Sequence, residues 1–448
     1  MNEHSLTEGS VWKKLLLFAL PIMGANLLQA MYGTVDLMVV GLFADAAQVS
    51  AVSTGSMTMQ TITGIISGLT MGCTVQLGQA IGMRDHRTAS RTVASSLALF
   101  VALGLALSGA IIAAAPPIAR VMNAPAEALP STVDYIRCCG AGVVCIVLFN
   151  AISGMFRGIG DSRTPLILMG IACGANVLGD LLLVGALSLG SVGAAIATVA
   201  AQGLSVLAAA LMVRRRGFGF ETRREELRPA RAETLRILRY GLPIAAQEAL
   251  TGVSFMVILA ILNGFGLIAS AGVGVAEKLC GLMFIIPGAM MSAVSAFSAQ
   301  NIGAEKPARA RQGMAVSMAV SFGMGLCMFA LSFFFGERLA GLFSGDAAVC
   351  AAAADYLRSY AVDCVIVGFN FSMMGYLNGM GHTGFVALQG ILSTFVVRIP
   401  VSWLMSRIPG VTLFQIGFAT PLATVFAIVI TALYLLRLRR NPPGPAQA

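Results

Sequence analysis

The sequence predicts an all-α integral membrane protein of about 12 transmembrane helices in two six-helix lobes. Three observations predict it. Hydrophobic residues make up 57% of the 448-residue chain and charged residues only 11%. Apolar runs long enough to cross a bilayer recur from end to end. And the second half repeats the first.

A soluble chain carries roughly 25% charged residues. One of this length would need several cores with polar surfaces between them, and there is too little charge here to cover them. The 50 glycines agree, since small residues let membrane helices approach closely. The formal net charge is +9, but no contiguous soluble basic domain exists to bind nucleic acid.

A span needs about 20 apolar residues. Such runs lie near 11–42, 51–82, 92–118, 132–156, 165–187, 191–213, 236–263, 272–303, 313–335, 352–378, 384–406 and 414–437. The first contains Pro21, Asn26 and Asp36 and is too long for a cleavable signal. The basic residues decide the orientation. The N-terminus and the gaps after every second span hold 22 Lys and Arg, against 3 in the opposite gaps. This bias places both termini on the cytoplasmic side of the plasma (cell inner) membrane and favours an even number of spans. The longest polar stretch, RRRGFGFETRREELRPARAETL at 214–235, reads as a cytoplasmic linker. The expected organisation is a first lobe over 1–213, this linker, a second lobe over 236–440 and a disordered tail over 441–448.

Nine cysteines lie mostly inside apolar runs, no CxxC pair occurs, and there are three histidines, His4, His86 and His382. No resident metal or other cofactor is expected, and no disulfide framework. Nor does any nucleophile or acid/base motif suggest an enzyme.

The duplication is ordered. Gln79, Ile81 and Gly82 recur as Gln300, Ile302 and Gly303; Asp134, Tyr135 and Arg137 recur as Asp355, Tyr356 and Arg358; Gly154, Gly158 and Gly160 recur as Gly375, Gly379 and Gly381. Each pair is 221 residues apart, and Leu20-Pro21-Ile22 recurs as Leu242-Pro243-Ile244 after 222. Six spans per copy insert both copies with the same orientation, so the pseudo-twofold axis is expected along the membrane normal, with a substrate path between the bundles.

The two copies differ in one respect. Asp36 falls mid-span, and its counterpart is Ile258. Asn176, Asp180 and Thr198 correspond to Val397, Val401 and Ala419. A charge at bilayer depth costs on the order of 3 kcal/mol on insertion scales and persists where it meets a partner or a cavity. Asn176 and Asp180 lie four apart, on one helix face. If Asp36 faces them, two carboxylates with Asn and Thr oxygens suit either an exchangeable proton or a hard cation such as Na+. The competing reading is an interhelical hydrogen-bond cluster that only joins spans. Glu248, Lys278, Arg398, Asn150 and Asn370 are candidate cavity residues. Arg398 is expected to pair with an acid such as Asp363 or Glu248, or to face the cavity. Glu277 and Lys278 could simply neutralise each other across helices. Asp134 with Arg137 and Asp355 with Arg358 read as structural. Pro21 and Pro243 fall inside spans and can kink them.

At these residues the chain resembles the multidrug and toxic-compound extrusion (MATE) family, within the wider multidrug/oligosaccharidyl-lipid/polysaccharide exporter superfamily. LPIMGANLLQAMYGTVDLMVVG (Leu20–Gly41) is similar to that family's first helix. GQAIGMRD (Gly78–Asp85), AQNIGAEK (Ala299–Lys306), FRGIGDSRTP (Phe156–Pro165), NVLGD (Asn176–Asp180), GAAIAT (Gly193–Thr198) and VRIPVSW (Val397–Trp403) extend the likeness over nearly the whole chain. The resemblance implies a V-shaped pair of lobes and an antiporter that exports cationic or amphipathic organic compounds, drugs among them, against entering H+ or Na+. It implies Asp36, Asn176, Asp180 and Thr198 as the ion-coupling site. One branch of the family also uses acids in spans 7 and 10. Here Glu248 is displaced from that position and Asp363 lies too early, so a second ion site is not expected. A monomer bathed in membrane lipid is anticipated. A lipid-linked oligosaccharide flippase of the same superfamily is the alternative, and a membrane protein without transport activity the more distant one.

Overall fold

The computed structural model describes residues 5–220 and 226–440. The tail 441–448 and residues 221–225 of the linker lie outside the described residues. Helix dominates, and no strand occurs among the described residues.

The helices follow the apolar runs and extend past them to polar caps. α1 runs Val11–Phe43 without interruption at Pro21. α2 (Ala46–Gly82) starts on Asp45, whose carboxylate accepts from the Gln48 amide. α3 (His86–Val121) starts in the same way on Asp85 and Thr88. Such caps satisfy backbone donors that helix starts leave free. α4 (Leu129–Ala141) and α5 (Val143–Ile159) are bent by 50° against each other at Gly142. α5 ends at Gly160, whose φ of +91° is left-handed and suits glycine. α6 (Arg163–Asp180) runs into a π-helical turn over Leu181–Ala186, and α7 covers Gly190–Arg216.

The second series begins with α8 (Arg231–Asn263), which carries Pro243. α9 (Leu267–Met283) and α10 (Ile285–Gly303) break at Phe284. Pro287 has no N–H to offer the Met283 carbonyl, which explains the break. α11 (Pro307–Ala340) and α12 (Ala347–Gly379) follow. α13 (Thr383–Leu392) passes through a π-helical turn over Ser393–Arg398 into α14 (Ile399–Ser406). Pro400, just beyond that turn, likewise cannot donate to the preceding turn. α15 (Leu413–Gly417) and α16 (Ala419–Arg440) complete the series.

Among the described residues, ten helical segments are long and apolar enough to cross a membrane, and the bent α4–α5 pair, counted as one span, makes an eleventh. α2, 37 residues long but rich in Thr, Ser, Gln and Gly, covers the run expected as the second span without being apolar enough to join this count. Large apolar side chains such as Leu105, Leu207 and Phe334 are exposed, as a protein solvated by lipid requires.

Two compact units emerge. One gathers Ser5 with the described residues of Leu20–Ala245; the other gathers Leu6–Ala19 with the described residues from Ala246 onward. The division therefore falls inside α1 and α8, each time beside the repeated Leu-Pro-Ile triplet. Within the second unit the N-terminal peptide is strapped to α10 and α11. The Leu6 amide donates to Gln300 Oε1 (3.1 Å), and Arg309 donates to the carbonyls of Leu6, Glu8 and Gly9.

The repeat is visible in the packing of each unit. Gly154 and Gly158 on α5 face the Thr70 and Thr74 carbonyls on α2 so closely that a Cβ would crowd them. Their counterparts Gly375 and Gly379 on α12 face the Met291 and Ser295 carbonyls on α10, again 221 residues on. Gly104 against Val144 and Gly325 against Val365 form another matching pair. Small residues at such crossings replace the hydrophobic driving force that lipid removes.

Candidate functional site

The site of the first unit is assembled by α1, α6 and α7. Asp36 lies on α1 and is 2% exposed; Asn176 and Asp180 lie one turn apart on α6 and are 0% exposed. Thr198 reaches in from α7, and its hydroxyl donates to Asp36 Oδ2 at 3.3 Å. The side chains of Asp180 and Asn176 stand within interaction range of the Asp36 carboxyl, although neither completes a hydrogen bond of standard geometry. Thus the four residues singled out in the sequence come together.

Close approach of α6 and α7 makes this possible. A Cβ at Gly179 would lie 2.9 Å from that of Ala197. These two residues immediately precede Asp180 and Thr198. The glycine of NVLGD and the alanine of GAAIAT are therefore the small contact that seats the polar pair. The π-helical turn begins at Leu181, directly after Asp180; such turns are frequent at functional sites.

Several polar atoms of this cluster have no hydrogen-bond partner. Asp36 Oδ1, both carboxylate oxygens of Asp180, and both Oδ1 and Nδ2 of Asn176 are buried without a partner. Each unpaired buried group costs about 1–3 kcal/mol, more if charged. The cluster keeps four acceptor oxygens on three side chains, beside the Thr198 hydroxyl. That donor set is hard and oxygen-only, which fits a proton or a cation such as Na+. Among the described residues no three His, Cys, Asp or Glu side chains group as a metal-binding set, and the cysteines are free thiols.

Sequence reasoning missed the frame around these residues. Tyr32 lies one turn before Asp36 on α1, and its hydroxyl donates to the Thr198 carbonyl at 3.2 Å. Its spacing of four from Asp36 was a usable signal. Tyr135 and Cys139 on α4, both buried, lie within electrostatic range of Asp36. No spacing rule links α4 to α1, so no signal in the sequence pointed to them.

The other candidate residues are dispersed. Glu248 on α8 and Lys278 on α9 are exposed. The Asn150 amide donates back to the Ile146 carbonyl of its own helix at 2.9 Å. Asn370 is buried and accepts from Gln389 at 3.3 Å. Asp355 caps α15 by accepting from the Phe414 amide at 3.0 Å. Arg398 alone sits in a polar cluster. Its Nη2 donates to Tyr360 Oη at 2.7 Å, and its guanidinium lies 4.5 Å from the Phe255 ring centroid. The acids in its electrostatic range are Glu277 and Asp363. Of the two acids expected as partners, Asp363 lies in electrostatic range, but its Oδ1 and the Arg398 Nε are both left without a partner.

Comparison with known proteins agrees with this architecture. The family model described as MatE matches twice, over residues 21–182 and 243–404, so the two copies start 222 residues apart. A probable multidrug resistance protein YpnP of Bacillus subtilis (strain 168) is 25% identical over 97% of this chain and 97% of its own length. The multidrug export protein MepA of Staphylococcus saprophyticus is 25% identical over 96% of this chain and 95% of its own. Among solved structures, an outward-facing multidrug resistance MATE transporter of the MOP superfamily superposes with a TM-score of 0.92 at 22% identity, covering 99% of both chains. A MATE protein in complex with MaL6 superposes at 0.91 and 21% identity, covering 98% of this chain and 100% of that one.

Proposed function

The chain belongs to the MatE family of multidrug efflux transporters, and from that membership we propose that it is an antiporter. It exports cationic or amphipathic organic compounds across the cytoplasmic membrane in exchange for H+ or Na+. Asp36, Asn176, Asp180 and Thr198 form the coupling site. The names of the multidrug relatives support the substrate class.

The observation that carries the coupling assignment is the set of unpartnered, fully buried oxygens on Asp36, Asp180 and Asn176. With the carboxylates ionised, the site holds uncompensated negative charge in a low-dielectric setting and favours a positive ligand. Entry of a proton or Na+ neutralises it. Because each ligand shifts the same equilibrium between conformations, ion and substrate influence each other reciprocally. Thr198 keeps one Asp36 oxygen oriented, and Asn176 offers an amide that can face either the charged or the neutral form. α1 carries both Asp36 and Pro21, so a local change at the carboxylate acts on a helix that already lacks one backbone hydrogen bond.

The test is efflux of a fluorescent organic cation from proteoliposomes, with a pH gradient and a sodium gradient imposed separately. One gradient alone should drive flux and so name the ion. Asp36→Asn and Asp180→Asn should each insert normally yet lose gradient-driven flux by at least ~10-fold, within the usual range of coupling energies. Retained gradient-driven transport in both variants would overturn the assignment.

A further inference from the structure

Three basic residues fall in the gaps that the charge bias assigns to the outside: Arg120, Arg338 and Arg407. Two of them are engaged by their own helices. The Arg338 guanidinium lies 5.7 Å from the Phe335 ring centroid, and that of Arg407 lies 5.0 Å from that of Trp403. Arg120 opens instead onto a cleft of about 300 Å³ in the first unit, between the end of α3 and the start of α4. Asp134 and Arg137 line the same cleft from α4. All three side chains are exposed, and among the described residues no hydrogen bond, ion pair or ring contact engages any of them. Asp134 and Arg137, three apart on one helix face, thus form no ion pair.

The repeat shows the same position serving the fold. Asp355, the counterpart of Asp134, accepts from the Phe414 amide at 3.0 Å and caps α15. Arg120 corresponds to Gly341, so the second copy lacks the second guanidinium. Only in the first unit do two guanidiniums and an uncommitted carboxylate share one cleft.

An apolar track leads into it. Leu105, Ile112, Pro116 and Arg120 follow at intervals of seven, four and four along one face of α3. Leu105 is 61% exposed and Ile112 38%, and Gly109 between them has open space where a Cβ would stand. Pro116 reaches the cleft wall, and Leu129 and Val133 form a floor that packs on the apolar core of this unit. An apolar track that ends in separate positive and negative groups has the polarity of a phospholipid. Guanidiniums pair with phosphate oxygens in a fork, and basic pockets at the membrane interface bind lipid head groups. A carboxylate beside them accepts from an ammonium and repels a head group that is only anionic.

We propose that this cleft binds a phospholipid with a phosphoethanolamine head group. Arg120 and Arg137 hold the phosphate, Asp134 holds the ammonium, and one acyl chain lies along Leu105 and Ile112. This role is independent of the coupling site.

The experiment measures binding to purified, detergent-solubilised protein by native mass spectrometry. Its probes are dioleoyl phosphatidylethanolamine, dioleoyl phosphatidylglycerol and soluble glycerophosphoethanolamine, each added separately. The wild type should bind one phosphatidylethanolamine ~5-fold more tightly than phosphatidylglycerol, the scale of one exposed ion pair, and the soluble head group far more weakly than either. Asp134→Asn should abolish the preference between the two lipids. Arg120→Gln/Arg137→Gln should weaken both by ~10-fold through loss of the charge-assisted phosphate bonds, whereas Arg338→Gln should change neither. Equal affinity of the wild type for the two lipids, or a preference that survives Asp134→Asn, would overturn the head-group assignment. Unchanged lipid binding in Arg120→Gln/Arg137→Gln would overturn the site itself. Soluble head group bound as tightly as the lipid would show a phosphate-ester site without an acyl track and overturn the lipid as its occupant.

Discussion

Asp36 owes its chemistry to its neighbours. One oxygen is engaged by Thr198, the other by nothing, and Asp180 with Asn176 close the remaining sides. Tyr32 acts one step removed, by fixing the α7 backbone through the Thr198 carbonyl. A net hydrogen bond is worth about 0.5–1.5 kcal/mol. Tyr32→Phe should therefore weaken the apparent affinity for the coupling ion by ~2- to 10-fold with normal insertion, read from the ion-concentration dependence of efflux. Outside the spans, His382 provides a pH test. Burial lowers its pKa below the ordinary histidine range, and its Nδ1 lies 2.9 Å from Tyr434 Oη. A depressed histidine pKa favours the neutral ring in the folded state. Its contribution to stability is complete above the unfolded pKa of about 6.5 and declines as pH falls below it. The thermal midpoint of the wild type should drop between neutral and mildly acidic pH more than that of His382→Gln; equal drops would remove His382 from the account.

Helix ends and crossings follow rules that hydropathy does not contain. Apolar runs locate the spans, but the helices run on to Asp45, Asp85 and Asp346, whose carboxylates cap them. Charge and apolarity fade before the backbone stops being helical. Crossings depend on the absence of side chains. A Cβ at Gly158 would lie 2.9 Å from the Thr74 carbonyl oxygen, and one at Gly379 would lie 2.6 Å from that of Ser295. Overpacking of this kind costs about 1–3 kcal/mol. Gly158→Val and Gly379→Val should each lower the thermal midpoint of detergent-solubilised protein, by similar amounts because the two crossings are copies. Gly179→Val should behave differently. It pushes α6 from α7 beside the site, so coupled efflux should fall more than stability does. A variant with unchanged coupling would show that the α6–α7 approach does not seat Asp180.

At the scale of the whole molecule, the charge bias predicts an orientation that can be tested directly. A tag inserted at Ser188 should be accessible from outside, and one at Gly217 only after permeabilisation; the reverse pattern would overturn the orientation. Much of the architecture was legible in the linear chain. The helical membrane fold, the approximate helix positions and the duplication all rest on quantities that add along the sequence: hydropathy over a bilayer's thickness, and identities at a fixed offset. Even Asp36, Asn176, Asp180 and Thr198 were legible, because each is polar where its own repeat is apolar. What the sequence could not decide depends on the rotation of one helix against another distant in the chain. Tyr32 meeting Thr198, the bend at Gly142, the break at Phe284 and the π-helical turns beside Asp180 and Arg398 belong to this class. So does the approach of Glu277 and Asp363 to Arg398. Residue type states what a buried group needs, and only packing in three dimensions states which neighbour supplies it.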